Sequence, residues 1–419
     1  MTRRAFPQAS ATRLVERGIL LSPVFQTYSI SSMIILVSPE AHYPAHNWPN
    51  TVALMRALRT KGQPVQAITF STTTAPVPPD LEKSVEPVFH RLPPGWKRVA
   101  TGKWTERRLG GLRSIAETIA CLFKAAGLAR RNPAAVLHFI GGSYWIVVLA
   151  ALWFKKLRFV YSLYDVMLSG PARGWKVRLR SQLKKLLCRA VATGRLEFAC
   201  ENEFVCDEMK PLLGAHVHIV PYAIDDSEVL PSQTEARQRL GLPPGEKIIL
   251  FFGTHRRGKD YRTALKGCQS LPTPPLALFV GKVISDNDPR QAVADCGYPN
   301  YRVVDEFVPE EMTKYYFAAA DAIALPYEAN FSRGSGVLIE CCRYLRPVIA
   351  TATPYFSAFL ERFKCGVTYA PGHSASFADA SGRLLADASG FLPALEQARH
   401  AHSWNIIADQ YIGLYESPL

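Results

Sequence analysis

A glycine turn followed by two cations is the first stretch of this sequence whose residue types and spacing could do chemistry. Gly253 comes directly after an apolar run, Arg256 and Lys259 follow it at three-residue intervals, and a helical stretch begins near Tyr261. Free N–H groups at a helix N-terminus and the helix dipole both favour anions. Arg and Lys can together neutralise a diphosphate. We therefore expect a diphosphate site here, although a basic loop taken alone is also typical of a solvated turn.

A second glycine-rich turn contains Gly334, Ser335 and Gly336 and precedes an apolar helix predicted over residues 337–345. Glycines let a backbone approach a ligand closely, so this turn could contact a phosphate or a sugar. Glu340 lies about one turn into the helix, where its carboxylate can accept hydrogen bonds from the vicinal hydroxyls of a ribose. The local pattern equally supports a first-turn glutamate that complements the helix dipole.

Three histidines of the first half are candidates for acceptor-side or catalytic groups. His138 ends an apolar strand just before Gly141 and Gly142, so its side chain could project into a ligand cleft. His42 and His46 lie in the loop after the first strand and are candidates on the same ground. A single histidine on a strand is also typical of a structural residue whose ring nitrogens are satisfied.

Three patterns have the spacing of metal ligands. They are the segment Asp286-Asn287-Asp288, the pair His216 and His218, and the pair His400 and His402. No cysteine or carboxylate cluster accompanies either histidine pair, and the acidic segment is interpreted as a polar loop. We therefore predict no obligatory metal and no other cofactor.

The elements that must position these residues alternate between strands and helices. Apolar, strand-like runs occur at residues 33–38, 65–70, 135–140, 158–163, 216–222, 248–253, 276–281, 302–304, 322–326 and 347–351. This alternation predicts an α/β protein with parallel sheets covered on both faces. Two such domains would face a central cleft, where ligands bind at the carboxyl ends of the strands.

The domain boundaries are predicted from shifts in composition. Residues 1–32 precede the first strand and are either a disordered extension or lie upstream of the true start. An acceptor-side Rossmann-like domain is predicted over residues 33–228, and a donor-binding one over residues 246–402. The proline-containing polar segment between them is the predicted linker.

The second half resembles glycosyltransferase family 4 of the GT-B fold over most of residues 248–416. The likeness rests on the Gly253 turn with its two cations and on the segments 324–327, 336–340, 346–350 and 403–416. The resemblance implies that Arg256 and Lys259 hold the pyrophosphate of a UDP- or GDP-sugar and that Glu340 binds its ribose. It also implies base recognition by backbone groups near residues 307–309, and a helix over 403–416 that returns to the first domain.

Two positions depart from the family pattern. The family usually carries two glutamates with seven residues between them, and Ser332 stands at the first of these positions, near the transferred sugar. The segment Ser162–Asp165 resembles one in which relatives have His-Asp, and Tyr164 replaces that histidine. Asp165 therefore joins His138 as a catalytic candidate, and Ser332 joins the second glycine turn as a candidate for the donor-sugar site. The resemblance further implies transfer with retention and without a metal.

Charge is unevenly distributed along the chain. Residues 1–224 hold 30 of the 49 Lys and Arg but only 13 of the 35 Asp and Glu, so the net charge of +14 comes from the first half. The segment 174–187 has the pattern of a basic amphipathic helix, which could lie on an anionic membrane or pack its leucines into the core. The most apolar run, 139–154, is too short to span a bilayer and is interpreted as a buried helix. The nine scattered cysteines indicate reduced thiols in a cytosol.

These observations predict a retaining glycosyltransferase, cytoplasmic and peripheral on the inner face of the plasma membrane. It would move a sugar from a nucleotide-sugar to a lipid-linked or membrane-proximal glycan in exopolysaccharide, other surface polysaccharide or glycolipid biosynthesis. Two alternatives stay open. One is an epimerase of the same architecture, which needs no acceptor, and the other is a nonenzymatic nucleotide-sugar-binding protein, suggested by Ser332 and Tyr164. A nucleic-acid partner is not expected, since no aromatic-basic recognition module is present.

Overall fold

The computed structural model describes residues 32–41, 47–72, 77–92, 104–164, 166–168, 174–331 and 334–417. Within these residues the chain is an α/β structure with two separate parallel sheets, which confirms the predicted class. His42, His46, Asp165 and Ser332 lie outside the described residues.

The first sheet is built from residues 34–219 and has seven parallel strands. They are β1 (Ile34–Ser38), β2 (Val65–Ser71), β3 (Val85–Phe89), β4 (Val136–Phe139), β5 (Arg158–Leu163), β6 (Leu196–Cys200) and β7 (Val217–Ile219). Their order is β3-β2-β1-β4-β5-β6-β7. The helices between them are α1 (Asn47–Thr60), α2 (Trp104–Ala129), α3 (Tyr144–Trp153), α4 (Trp175–Val191) and α5 (Glu203–Leu213).

The second sheet is built from residues 248–369 and has six parallel strands. They are β8 (Ile248–Phe252), β9 (Leu276–Val280), β10 (Tyr301–Val304), β11 (Ala322–Leu325), β12 (Val348–Thr351) and β13 (Gly366–Tyr369), in the order β10-β9-β8-β11-β12-β13. The accompanying helices are α6 (Gln233–Leu240), α7 (Tyr261–Gln269), α8 (Pro289–Cys296), α9 (Glu310–Ala319), α10 (Gly336–Arg343), α11 (Pro354–Phe363), α12 (Ser374–Ala386) and α13 (Leu392–Ala401).

Continuous apolar runs explain why the central strands form. All residues of β1, β9, β11 and β12 are buried, as expected for strands covered by helices on both faces. The β8 and β11 strands are neighbours, so the loops that follow them meet at the same edge of the sheet. These are the loops that carry the two glycine turns.

The last helix, α14 (Trp404–Glu416), packs against the first sheet although it follows the second in sequence. Ile407 and Ile412 share an apolar cluster with Leu36 of β1 and Leu54 of α1. The chain passes from the first sheet to the second and back at adjacent points, where Ile224 exchanges backbone hydrogen bonds with His402 and Trp404.

The apolar run at residues 139–154 is only partly buried. Its helix, α3, buries Val147 and Val148, but Leu149 is 49% exposed and Trp153 is 81% exposed. The interpretation as a fully buried helix was therefore wrong for its outer face, because one side of α3 has no helix packed over it among the described residues.

Candidate functional site

The first glycine turn is shaped by its contact with the second. Gly253 follows β8 with a φ of +89°, and a Cβ built there would lie 3.3 Å from Cγ2 of Val337 and 4.0 Å from Nζ of Lys259. A positive φ and a close approach both favour glycine. The turn ends at Asp260, whose carboxylate caps α7 by accepting from the N–H of Thr263 at 3.1 Å. The phosphate loop, residues 253–260, therefore touches the first turn of α10.

Lys259 is a buried cation in this loop. The residue is 7% exposed, and its ammonium group donates to the carbonyl oxygen of Phe252 at 3.1 Å. Burial, together with the nearby charge of exposed Arg256, lowers the pKa of Lys259 to about 7. No ion pair joins Lys259 to any carboxylate that the structure describes. A buried cation without a counter-charge is costly, so the site is suited to an anionic ligand.

The acidic segment at 286–288 braces the phosphate loop. Asn287 donates from its side-chain amide to the carbonyl oxygens of Arg256 and Lys259, both at 2.9 Å. Asp286 accepts two hydrogen bonds from Arg257. Asp288 caps α8 by accepting from the N–H of Arg290 at 2.9 Å. Each side chain of the segment thus has a protein partner, as the polar-loop interpretation expects.

His255 is a residue of the loop that the sequence analysis did not select. Its ring is fully buried, Nδ1 bonds the hydroxyl of Tyr261 at 2.6 Å, and Nε2 has no partner among the described residues. Burial lowers the pKa of His255 to about 3, so the ring is neutral. The bond to Tyr261 ties the phosphate loop to α7. A histidine that precedes two arginines in a loop gave no signal for this anchoring role.

The second glycine turn contributes a buried carboxylate. Glu340 lies in the second turn of α10 with its side chain 22% exposed, and burial raises its pKa to about 7. Its Oε2 lies 3.5 Å from Nη1 of Arg343 but makes no hydrogen bond, and it is fully shielded from solvent. An unsatisfied acceptor of this kind favours a ligand that donates hydrogen bonds.

Gly334, Ser335 and Gly336 form the entry to α10. Ser335 precedes the helix, is buried, and its hydroxyl has no hydrogen-bond partner among the described residues. A Cβ at Gly334 would lie 3.0 Å from Nδ2 of Asn202, a residue of the first half. Around Gly336 a Cβ would meet nothing within 4 Å. The turn is therefore closed on one side by Asn202 and open on the other.

His138 occupies a different place from the one proposed for it. It is fully buried, with Nδ1 bonded to the hydroxyl of Tyr415 at 2.7 Å and Nε2 to Oγ of Ser162 at 2.9 Å. Burial lowers its pKa to about 3. The structure therefore does not bring the ring into the cleft, because α14 covers it. This geometry is that of the structural alternative, and it leaves Ser162 as the group nearer the surface.

Three of the four histidines in the two pairs bond protein groups through their rings. Both His216 and His218 bond the carboxylate of Glu197, at 2.8 and 2.7 Å. Nδ1 of His402 bonds the carbonyl oxygen of Ala398 at 2.8 Å. Among the described residues, no cluster of three or more His, Cys, Asp or Glu has a geometry that could hold a metal ion.

Residues 232–401 match the family model for glycosyl transferases group 1. A Bacillus subtilis protein named as a candidate teichuronic acid biosynthesis glycosyltransferase, TuaC, is 29% identical over 171 residues, which are 40% of this chain and 41% of that protein. A D-inositol 3-phosphate glycosyltransferase from Corynebacterium urealyticum is 30% identical over 196 residues, which are 43% of this chain and 46% of that protein. The aligned region thus spans less than half of either relative.

Likeness in structure extends over both sheets. HepE from Anabaena, solved in complex with UDP, is 14% identical, covers 92% of this chain and 100% of its own, and has a TM-score of 0.64. At this identity the comparison shows the fold alone. The predicted GT-B fold is confirmed, with two Rossmann-like domains.

Proposed function

We propose that this chain, in which residues 232–401 form a group 1 glycosyltransferase domain, transfers a sugar from a nucleotide-sugar to a membrane-proximal glycan acceptor with retention of configuration. The observation that carries the proposal is the buried, unpaired cation Lys259, which lies beside Gly253 and the first turn of α10.

The donor diphosphate would be held at the phosphate loop. Lys259 supplies a positive charge in a poorly hydrated place, where electrostatic interactions are strong, and Arg256 supplies a second, exposed one. As the bond to the sugar breaks, negative charge grows on the leaving diphosphate, and fixed cations stabilise it without reorganisation. The relative HepE is described in complex with UDP, which supports a UDP-sugar as the first donor to test, with GDP-sugars second.

The donor ribose would be held by Glu340. Its buried Oε2 lacks a hydrogen-bond donor, and vicinal hydroxyls could supply one. Gly334, Ser335 and Gly336 would place backbone N–H groups near the phosphate or the sugar. Ser332, which lies outside the described residues, stays a candidate for the sugar contact. We propose that no metal is required, because the chain's own cations neutralise the diphosphate.

A surface on the first domain would hold the enzyme at a membrane. We call it the α2–α4 face; α3 packs against both α2 and α4. Its exposed apolar side chains are Leu112, Ile115, Ile119, Phe123, Leu149, Trp153, Val177 and Leu179. Lys155, Lys156, Arg178, Lys184 and Lys185 are exposed on the same helices or next to them. Apolar side chains among cations suit the interface of an anionic leaflet.

The same face bears on both interpretations of the segment 174–187. Leu187 is fully buried, whereas Val177 and Leu179 at the start of the helix are 51% and 46% exposed. Part of the helix thus packs into the core and part remains available to a membrane. None of the described helices has the length and apolarity of a membrane-spanning helix. We propose a peripheral location on the cytoplasmic leaflet and a lipid-linked acceptor used in surface polysaccharide or glycolipid assembly.

The decisive experiment follows nucleotide release from a panel of UDP- and GDP-sugars, with and without a membrane lipid extract. Lys259→Ala and Glu340→Ala should each lower release by at least about 100-fold, since each removes a charged contact. Lys266→Ala, a matched change of an exposed lysine on the neighbouring α7, should keep wild-type rates.

Each alternative function predicts a different outcome of this assay. Release that depends on the extract supports transfer to a lipid-linked acceptor. Donor binding without release under any condition would instead support a nonenzymatic binding protein. Isomerised donor sugar formed without an acceptor would support the epimerase.

A further inference from the structure

A carboxylate that no part of the mechanism uses lies at the carboxyl end of β6. Glu201 follows Cys200 directly, at the edge of the first sheet where ligands of such sheets bind. It makes no hydrogen bond or ion pair with any residue that the structure describes. Burial alone raises its pKa to about 7. A partly buried acid without a protein partner is costly, so its position at this edge points to a ligand.

Glu201 lines a pocket with an unusual set of neighbours. The polar groups around it are hydroxyls, a side-chain amide and an indole N–H, from Asn50, Ser162, Tyr164, Tyr222, Trp404 and Tyr411. The apolar wall comes mainly from residues of the first sheet and α1, with Ile407 of α14. Among the residues that the structure describes, no lysine, arginine or histidine lines this pocket. A phosphate would meet an unbalanced carboxylate here, whereas a neutral ligand rich in hydroxyl groups would find acceptors, donors and aromatic surfaces.

The pocket adjoins the glycine turn of the second domain. Asn202, the residue after Glu201, places Nδ2 3.0 Å from where a Cβ of Gly334 would stand. The hydroxyl of Tyr355 of α11 lies 4.0 Å from the same point. Tyr222 lines the pocket with Glu201, and burial, with both Glu340 and Glu201, raises its pKa. The pocket is therefore next to the second glycine turn.

We propose that Glu201 is an acceptor-binding residue, whose carboxylate accepts a hydrogen bond from a hydroxyl of the incoming sugar while Tyr164 and Tyr222 frame its ring. This inference rests on the proposed glycosyltransferase function. An ionised carboxylate is purely an acceptor, and a hydroxyl donor would satisfy it where the protein does not. Since the described lining carries a carboxylate and no cation, we expect the phosphate of a lipid-linked acceptor to bind elsewhere.

The hydrogen bond of Ser162 explains how the pocket is kept in shape. Ser162 bonds His138 on one side, and on the other it lines the same pocket as Tyr164 and Tyr411. His138 is held in turn by Tyr415. The chain of contacts fixes the hydroxyl groups before the acceptor arrives, which lowers the cost of ordering on binding.

The test compares Glu201→Gln with Glu208→Gln, a matched change of an exposed glutamate on α5. The probe is a UDP- or GDP-sugar that the wild type turns over, with the membrane lipid extract titrated as the acceptor. For Glu201→Gln we expect the half-saturating amount of extract to rise at least about tenfold, the cost of about 1.4 kcal/mol of lost hydrogen bonding. Affinity for the donor, measured by calorimetry, should stay within about twofold, which also reports that the variant is folded.

The controls separate the possible failures. Glu208→Gln should match the wild type in every readout, and Tyr222→Phe should raise the half-saturating amount by a smaller factor. Nucleotide release with an unchanged extract dependence in Glu201→Gln would overturn the assignment of Glu201 alone. Absence of release by the wild type with every donor would overturn the proposed function and this inference with it. Loss of donor affinity together with the extract dependence would assign Glu201 a structural role instead.

Discussion

Raising the pH across neutrality should weaken donor binding through one side chain, Lys259. Desolvation, with a smaller contribution from Arg256, lowers the pKa of this lysine to about 7 in the free protein. A bound diphosphate would favour the charged form and raise that pKa again. Donor binding is therefore linked to uptake of a proton wherever the pH exceeds about 7 but stays below the pKa of the complex.

The sign and size of the change in donor affinity follow from the fraction of Lys259 that is protonated in the free protein. Below pH 7 the lysine already carries its proton, so affinity is independent of pH. At about pH 8.5 only roughly 3% of a group with a pKa near 7 is protonated, so affinity should fall about 30-fold, or about 2 kcal/mol. The stability of the free protein should change in the opposite direction. The neutral lysine costs less to bury than the charged one, so the free energy of unfolding should rise as the pH increases over the same range.

The assay is calorimetric titration with a UDP- or GDP-sugar that binds, from about pH 6 to about pH 8.5. It is best made in the Glu340→Gln background, because the pKa of Glu340 is also raised to about 7 and its ionisation would act in the opposite sense. Adding Lys259→Met should give weak, pH-independent binding. A flat profile with Lys259 present, or a slope that persists after Lys259→Met, would refute the reasoning.

Three other substitutions test separate parts of the structure. Gly281→Ala puts a Cβ 2.3 Å from the phosphate-loop backbone at a φ of +141°, so thermal melting should show a loss of about 2–4 kcal/mol in unfolding free energy; an unchanged melting temperature would contradict this. Tyr415→Phe leaves Nδ1 of buried His138 without its partner and should cost about 1–3 kcal/mol in a urea titration, whereas an equal loss of donor affinity would argue for a role in the donor site. Lys184→Glu combined with Lys185→Glu should abolish flotation with anionic vesicles while donor affinity persists; continued flotation would exclude α4 as the contact.

The strands that the sequence predicted were those with continuous apolar runs. Three strands of the structure, β3, β6 and β13, were not predicted. β3 is short and contains Pro87, which breaks the propensity for a strand. β6 carries Glu197, which is tolerated only because His216 and His218 from the next turn and strand bind its carboxylate. Because these partners are distant in sequence, no local pattern of residues predicts the strand.

The residues of the candidate site also divide into those that the local sequence indicates and those that it does not. The phosphate loop is local in sequence, so the spacing of Gly253, Arg256 and Lys259 could indicate it. Glu201 could not be selected, because its setting depends on β6 and on tyrosines from both domains. For His138 the strand was predicted correctly from the local pattern, but the contacts of its side chain were not. Its ring bonds the hydroxyl of Tyr415, which is 277 residues away in sequence.

The return of α14 to the first sheet has a consequence for how the chain is made. The apolar cluster around β1 and α1 includes Ile407, Ile412 and Tyr415. The residues of β1 and α1 are synthesised first, and they stay uncovered until the chain has been made to about position 416. The second domain lies between these points and can complete its own sheet during synthesis. On the ribosome, the later-encoded domain would therefore be the first to finish folding, and the nascent first domain would be the natural substrate for a chaperone.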